Sequence, residues 1–370
     1  MQSTALLSTS RRRASPIARA ACGVYFLLLV YSGLAPWSGW RDLGINAFAY
    51  LLAPIPRYVT TFDLVVNVVA YVPLGALIVL AFYPRLHGFG AVLLATLIGT
   101  LLSGAIEATQ TFLPTRISSN LDLLANSLGA LAGATLAAPF ASALIDRGRL
   151  LEWRHRWYEQ HTTAVLIALA LWPAAQIYPE PMLFGNGDLR GSLESFVQAL
   201  GGRWWQFDPE QFGPAEYVLA EAFVVASALL AIGLALGSIL KRDAPRYALL
   251  AGLVVTGLAA KSVANAVQFG PERALAWLTP GAFGGIALAV LSLAAATGGT
   301  RARQGRLAWV ALGALLLAVN TVPENPYHLA RLQEWRQGRL LNFNALADWL
   351  STLWPLALAG SLIVRPQLRD

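Results

Sequence analysis

The chain has 370 residues, of which 56% are hydrophobic and only 13% charged, with a mean hydropathy of +0.54; a soluble domain carries about 25% charge. The apolar residues come in runs of about 17–25, which selects helices over the roughly ten-residue alternating strands of a barrel, because peptide groups in hydrocarbon must bond one another. The net charge of +7 does not point to nucleic acid: the basic residues sit in short loops between the runs and form no stripe interleaved with aromatics.

In chain order, the segment 1–19 carries Arg11, Arg12, Arg13 and Arg19 ahead of a first apolar run over about 20–36. It resembles a signal peptide, but the run is long and ends without a small-x-small cleavage site, which predicts an uncleaved span. Cys22, the single cysteine, lies in that run, which excludes an intramolecular disulfide and a cysteine metal site. Further spans are predicted over about 63–83, 89–109, 121–140, 163–179, 217–240, 246–268, 275–297, 306–322 and 346–364, the ninth being among the shortest and the weakest. The expected fold class is all-α, a polytopic helical membrane protein with about ten transmembrane helices. His87, His155, His161 and His328 stand singly in loops, and neither a metal nor another cofactor is expected.

The basic residues orient these spans. Of 27 Lys and Arg, 17 fall in the N-terminal tail and around 84–88, 141–162, 241–246, 298–306 and 365–370. Nine lie in the opposite, longer loops, and Lys261 lies within a span. The basic side is the cytoplasmic one, so both termini of this inner-membrane-type protein are expected inside. The loops 37–62, 180–216 and 323–345 then face outward, bearing Trp37, Trp40, Trp204, Trp205 and Trp335. Those tryptophans suit an interfacial aromatic belt better than a ligand-facing surface.

An internal repeat is also expected. Ser103, Glu107 and Gln110 end the third span, and Lys261, Asn265 and Gln268 end the seventh at similar spacing. Glycine-bearing helices follow both, through Gly129 and Gly133 and through Gly281, Gly284 and Gly285. Tyr178-Pro-Glu180-Pro181 and Val322-Pro-Glu324-Asn-Pro326 echo each other after later spans. The organisation read from this is a cytoplasmic tail 1–19, a four-helix unit 20–145, a linker 146–162, a diverged four-helix unit 163–300 and a two-helix segment 301–370. In the second copy Asn265 stands in place of Glu107, so the first copy is the better candidate for activity.

A charge inside a span costs about 2.5–3.5 kcal/mol, so intramembrane polar groups mark the place to look. Asp63 and Asn67 share one face of the second span, and Pro73 in the same span invites a kink or a polar partner for a freed carbonyl. Ser103, Glu107 and Gln110 share a face of the third. Asp122 and Asn126 share a face of the fourth, and Gly129 and Gly133 continue it as a small-x-x-x-small stripe open to a neighbouring helix. Asp122 also suits a helix N-terminus, partly as a cap. All three groups fall at the outward helix ends, with Arg116 in the short loop between two of them; its planar fork suits a carboxylate or phosphate. The bland alternative is helix-to-helix glue, with Arg116 salt-bridged to Asp63, Glu107 or Asp122. In the second unit, Glu221 and Lys261 read as a structural ion pair.

The run Asp63-x3-Asn67-x5-Pro73-Leu74-Gly75, then Ser103-x3-Glu107-x2-Gln110-x5-Arg116-x5-Asp122-x3-Asn126-x2-Gly129, is similar to the pattern of the VanZ-like family over about 60–140. The resemblance implies a bacterial cell-envelope membrane protein, and the family's founding member is linked to low-level resistance to the glycopeptide teicoplanin. Three functions compete. The first is binding or modulation of a membrane lipid or lipid-linked envelope precursor through Asp63, Asn67, Ser103, Glu107, Gln110, Arg116, Asp122 and Asn126. The second is an integral-membrane enzyme with Glu107 or Asp122 as catalytic acid or base. The third is a lipid flippase or transporter. No nucleic-acid partner is expected, and nothing in the sequence names a protein partner.

Overall fold

The computed structural model describes residues 15–34, 37–54, 61–145, 154–208, 212–296, 299–323 and 341–363. Its elements are helical, and no strand occurs among the described residues. Two compact units form, residues 1–152 and 153–370.

The first unit holds α1 (Pro16–Gly33), α2 (Thr61–Phe82), α3 (Gly88–Gln110) and α4 (Asn120–Ala137), the last extended by short turns to Ile145. Its tightest seam joins α2 to α4, and glycine is the reason. A Cβ at Gly129 would collide with the carbonyl oxygen of Val68, one at Gly133 with that of Val72, and one at Gly75 with that of Ala130. The small-residue stripe therefore accepts α2 as its neighbour, backbone against backbone. Leu74, Ile78, Ala95, Ala130 and Ala134 fill the rest of this core. Pro73 lies inside an unbroken α2. The hydroxyl of Tyr25 on α1 donates to the carbonyl of Ala70 at 2.8 Å, close to the site of the missing amide.

The second unit holds α5 (Thr163–Ala175), α6 (Arg190–Ala199), α7 (Pro214–Ile239), α8 (Arg246–Phe269), α9 (Pro280–Ala296), α10 (Arg301–Thr321) and α11 (Leu341–Ile363). α7 is its axis, buried along its second half from Val224 to Ile239. α9 closes on it through Gly281 and Gly285, whose Cβ positions would crowd the carbonyl oxygens of Val218 and Ala222. Trp172 on α5 and Trp354 on α11 meet in the core, with ring centroids 6.4 Å apart. The Trp354 indole donates to the Ala168 carbonyl.

Helices stand at all ten predicted spans, and among the described residues six are long and apolar enough to cross a membrane. Ala18–Gly33, Thr163–Ala175 and Pro280–Ala296 are shorter apolar helices. Two expectations are corrected. The ninth predicted span is not short, although it is the least apolar of the six long ones: α10 runs 21 residues, because it begins among the basic residues Arg301, Arg303 and Arg306, ahead of its apolar stretch. The shortest is α5, at 13 residues, which ends two residues past Pro173. The segment 180–216, expected as an outward loop, is not all loop. It contains α6, whose polar composition gave no spanning signal.

Candidate functional site

The candidate residues of the first unit form two polar layers at the end of α2, α3 and α4 that joins the 111–119 loop. In the deeper layer the Asn126 amide donates to the Ser103 hydroxyl at 2.9 Å, and both side chains are buried. Tyr71 on α2 also bonds Ser103. The Asn126 Oδ1 is buried with no hydrogen-bond partner in the structure. Such an orphan acceptor costs about 1–3 kcal/mol unless something donates to it.

The outer layer centres on Glu107, which is 3% exposed. Its Oε2 accepts from the Ser119 backbone N–H at 2.8 Å, and its own carbonyl accepts from the Ser118 hydroxyl at 2.7 Å. Glu107 therefore fixes the point where the loop turns into α4. Ser119 is the N-cap, its hydroxyl accepting from the amides of Leu121 and Asp122 at 3.2 and 3.4 Å. The expected partial cap at Asp122 is thus corrected. Asp122 occupies the third helical position, half-buried, where a negative charge suits the helix dipole. A hydroxyl at the residue before the helix had the better geometry to close on the free amides.

Arg116 is half-buried in the same loop, its backbone amide bonded to the Leu113 carbonyl at 2.9 Å. Burial lowers its guanidinium from the ordinary arginine range, and the Glu107 carboxylate acts in the opposite sense. Among the described residues, Asp122 and Arg116 are the charged groups whose fields reach Glu107. The structure thus brings Ser103, Glu107, Arg116, Asp122 and Asn126 together. Asn67 is half-buried on α2, two turns from Pro73. The side chain of Asp63, in the first turn of α2, lies outside the described residues.

Gln110 is buried but turned elsewhere: its amide donates to the Gly33 carbonyl at 2.7 Å and ties the end of α1 to α3. Tyr50, absent from the sequence reading, belongs beside the cluster. It sits in a short 3-10 turn, Ala49–Leu52, and donates to the Gly104 carbonyl at 3.1 Å. Burial, and then the Glu107 carboxylate, push its phenol up. A tyrosine in a connecting loop carried no local signal for this contact, which spans 54 positions of sequence.

The second unit carries a polar core that sequence reading only partly found. The Lys261 ammonium donates to the Tyr178 carbonyl at 2.9 Å, and Glu221 accepts from the Thr279 hydroxyl at 2.6 Å. Glu180 takes the Ser351 hydroxyl at 2.5 Å, and Ser351 also accepts from the Asn186 amide. Of the tryptophans, Trp37, Trp40 and Trp205 are exposed, whereas Trp204 donates to the Asn320 carbonyl at 2.8 Å; Trp335 lies outside the described residues.

Residues 21–142 match the VanZ/LLP1 family, and this stretch contains every residue of the two polar layers. No curated protein and no solved structure matches the chain. The chain is an all-helical, multi-pass membrane protein whose first unit carries a VanZ/LLP1-family domain over residues 21–142.

Proposed function

We propose that the VanZ-like unit binds the headgroup of a lipid-linked envelope precursor at the outward end of α2, α3 and α4, and modulates its use. The observation that carries this reading is the pairing of a buried, unsatisfied acceptor with a half-buried guanidinium. Asn126 Oδ1 calls for an N–H or O–H donor, and Arg116 suits an anion. A phosphate or carboxylate flanked by hydroxyls or amides supplies both. Glu107 and Asp122 add acceptors at the same end, and the fixed 111–119 loop sets the spacing. In this reading both termini are cytoplasmic, the membrane is the bacterial inner membrane, and glycopeptide (teicoplanin) susceptibility is the phenotype to read.

The carboxylate-enzyme reading is weaker, because Glu107 is enclosed and already occupied by Ser119. The flippase reading loses its broken helix, since α2 runs through Pro73. We also read residues 163–300 as a diverged copy of the first unit. The amides of Gln110 and Gln268 make the same tie to a carbonyl at the end of α1 and just past α5, Gly33 and Ile177.

The test is to purify wild type and Arg116→Ala in mild detergent and identify co-purifying lipids by mass spectrometry. A polyprenyl- or glycan-linked species held by wild type and lost from Arg116→Ala is the expected result. The same bulk lipid in both defeats the proposal and leaves Arg116 a helix-binding residue.

A further inference from the structure

The second unit has a cavity of about 860 Å³ at the end where α7 stops and α8 and α10 begin. Four cations line it: Lys241, Arg242, Arg246 and Arg301. No acid lines it, although Glu159 pairs with Arg301 at 2.8 Å and Asp243 stands in the same loop. Against these two acids the four cations leave an excess of two positive charges. Two helix N-termini open on the same space, through Arg246, Tyr247 and Ala248 of α8 and Thr300 and Arg301 of α10. No side chain caps α8, whose flanking residue is Pro245. The first-turn amides of a helix attract anions on their own; here they share a concave space with four basic side chains. Its size suits a small ligand or a headgroup.

Loop charge that merely orients a span needs only to be on the right side of the membrane. It does not need to line a concavity. The Arg246 guanidinium is held against Gln304 at 3.3 Å and Arg301 against the Leu240 carbonyl at 3.0 Å. Lys241 is held by the His155 carbonyl at 2.6 Å. These bonds fix three of the four cations around the opening before any ligand arrives.

We propose that this cavity is a phosphate-binding site, distinct from the site of the first unit, and that its ligand is a phosphate-bearing group such as an anionic lipid headgroup. Basic pockets between spanning helices on the cytoplasmic side bind such headgroups. The full-length protein in mild detergent is titrated separately with phosphatidylglycerol, phosphatidylcholine and inorganic phosphate. Binding is read by the shift in unfolding temperature and by native mass spectrometry. Arg242 is exposed, so Arg242→Glu reverses a lining charge without opening the core. Arg303→Glu makes the same reversal at an exposed residue outside the lining.

Phosphatidylglycerol is expected to bind saturably and more tightly than phosphatidylcholine. Arg242→Glu weakens it about 25-fold, from about fivefold per unit of charge at a membrane surface, while Arg303→Glu leaves it within about twofold. Saturation by inorganic phosphate, in competition with the lipid and weakened by the same variant, assigns the site to a soluble phosphate group. Phosphatidylglycerol binding unchanged by Arg242→Glu, or weakened equally by Arg303→Glu, overturns the proposal, as does the absence of binding by either ligand. Where Arg242→Glu does not fold, Arg242→Gln is read instead, with about a fivefold loss expected.

Discussion

Gly133→Ala tests whether the α2–α4 seam holds the first unit together. The added Cβ would collide with the Val72 carbonyl oxygen and lie 2.7 and 2.9 Å from the Val72 carbonyl carbon and Cα. All three obstacles are backbone, so no rotamer change relieves them; α2 and α4 must part. Overpacking of this kind costs about 1–3 kcal/mol, and a contact that only backbone movement can relieve belongs at the upper end. Alanine recovers up to about 1 kcal/mol of helix propensity, which leaves a net loss of about 2 kcal/mol. For a unit of this size that corresponds to a fall of about 4–8 °C in Tm. Thermal unfolding in mild detergent, followed by circular dichroism, reads it directly. Gly90→Ala is the control, because its Cβ would meet only the Leu86 side chain, at 4.0 Å, and its Tm should stay level or rise. If Gly133→Ala unfolds at or above the wild-type temperature, the seam is not as close as described. The account of how α4 carries Asn126 to Ser103 would fall with it.

Two further outcomes follow from the polar groups. Glu107→Gln keeps an oxygen for the Ser119 amide but removes the charge near Arg116 and Asp122. It should fold with a loss of about 1 kcal/mol, the difference between a charged and a neutral acceptor, yet lose the co-purifying lipid; unchanged lipid would show that the Glu107 charge plays no part in binding. Glu180, in the loop after α5, is pushed up to about 7 by burial, which outweighs the Ser351 hydrogen bond and the Lys261 charge. A raised carboxyl binds its proton more tightly folded than unfolded, so stability should fall as pH rises from about 4.5 to about 7 and then level off. Glu180→Gln should flatten that part of the Tm-against-pH curve, and an unaltered curve would assign the dependence to another group.

How much of this was legible in the sequence depends on the reach of each interaction. Positions of the helices followed from apolar runs, and the Gly129–Gly133 stripe announced a close neighbour by spacing alone. The cluster of Ser103, Glu107, Arg116, Asp122 and Asn126 was legible because two adjacent helices and their short loop carry all five. Contacts from distant sequence were not. Tyr50 reaches Gly104 across 54 positions, Gln110 reaches Gly33 across 77, and Asn186 reaches Ser351 across 165. Gln110 shares a helix face with Glu107, and facial periodicity cannot say which neighbour that face meets one turn later. The cap at Ser119 was missed because Asp122 and Ser119 are both good capping types, and only the path of the loop decides between them. The reading of 163–179 as a span and 180–216 as a loop gave no sign that Gln176, Glu180 and Asn186 are buried together, because they bond one another, Ser351 and the α5 carbonyls instead of water.

The proposed repeat explains why the two units keep one scaffold with different chemistry. In each, two glycines four apart sit against carbonyls four apart: Gly129 and Gly133 on Val68 and Val72, Gly281 and Gly285 on Val218 and Ala222. In each, a glutamine near a helix end ties down the first helix of the unit: Gln110 of α3 bonds the Gly33 carbonyl at the end of α1, and Gln268 of α8 the Ile177 carbonyl just past α5. These contacts depend on backbone and on one amide, so they tolerate any change of charge around them. The charges do differ. The first unit places Arg116 in a half-buried loop within reach of the Glu107 charge, at the helix ends where the proposed anion would bind. In the second, Lys261 stands where the repeat has Ser103, within α8, 5% exposed and bonded to the Tyr178 carbonyl, with the Glu180 carboxylate nearby, while Arg273, which follows Gln268 as Arg116 follows Gln110, is half-buried after α8. A cation already satisfied inside the core gains little from an external anion and would lose its internal partners to bind one. On the proposed repeat, one four-helix frame would carry the proposed ligand site in the first unit and a closed polar core around Lys261 in the second, whose further cations Lys241, Arg242, Arg246 and Arg301 line the cavity at the opposite end of α8.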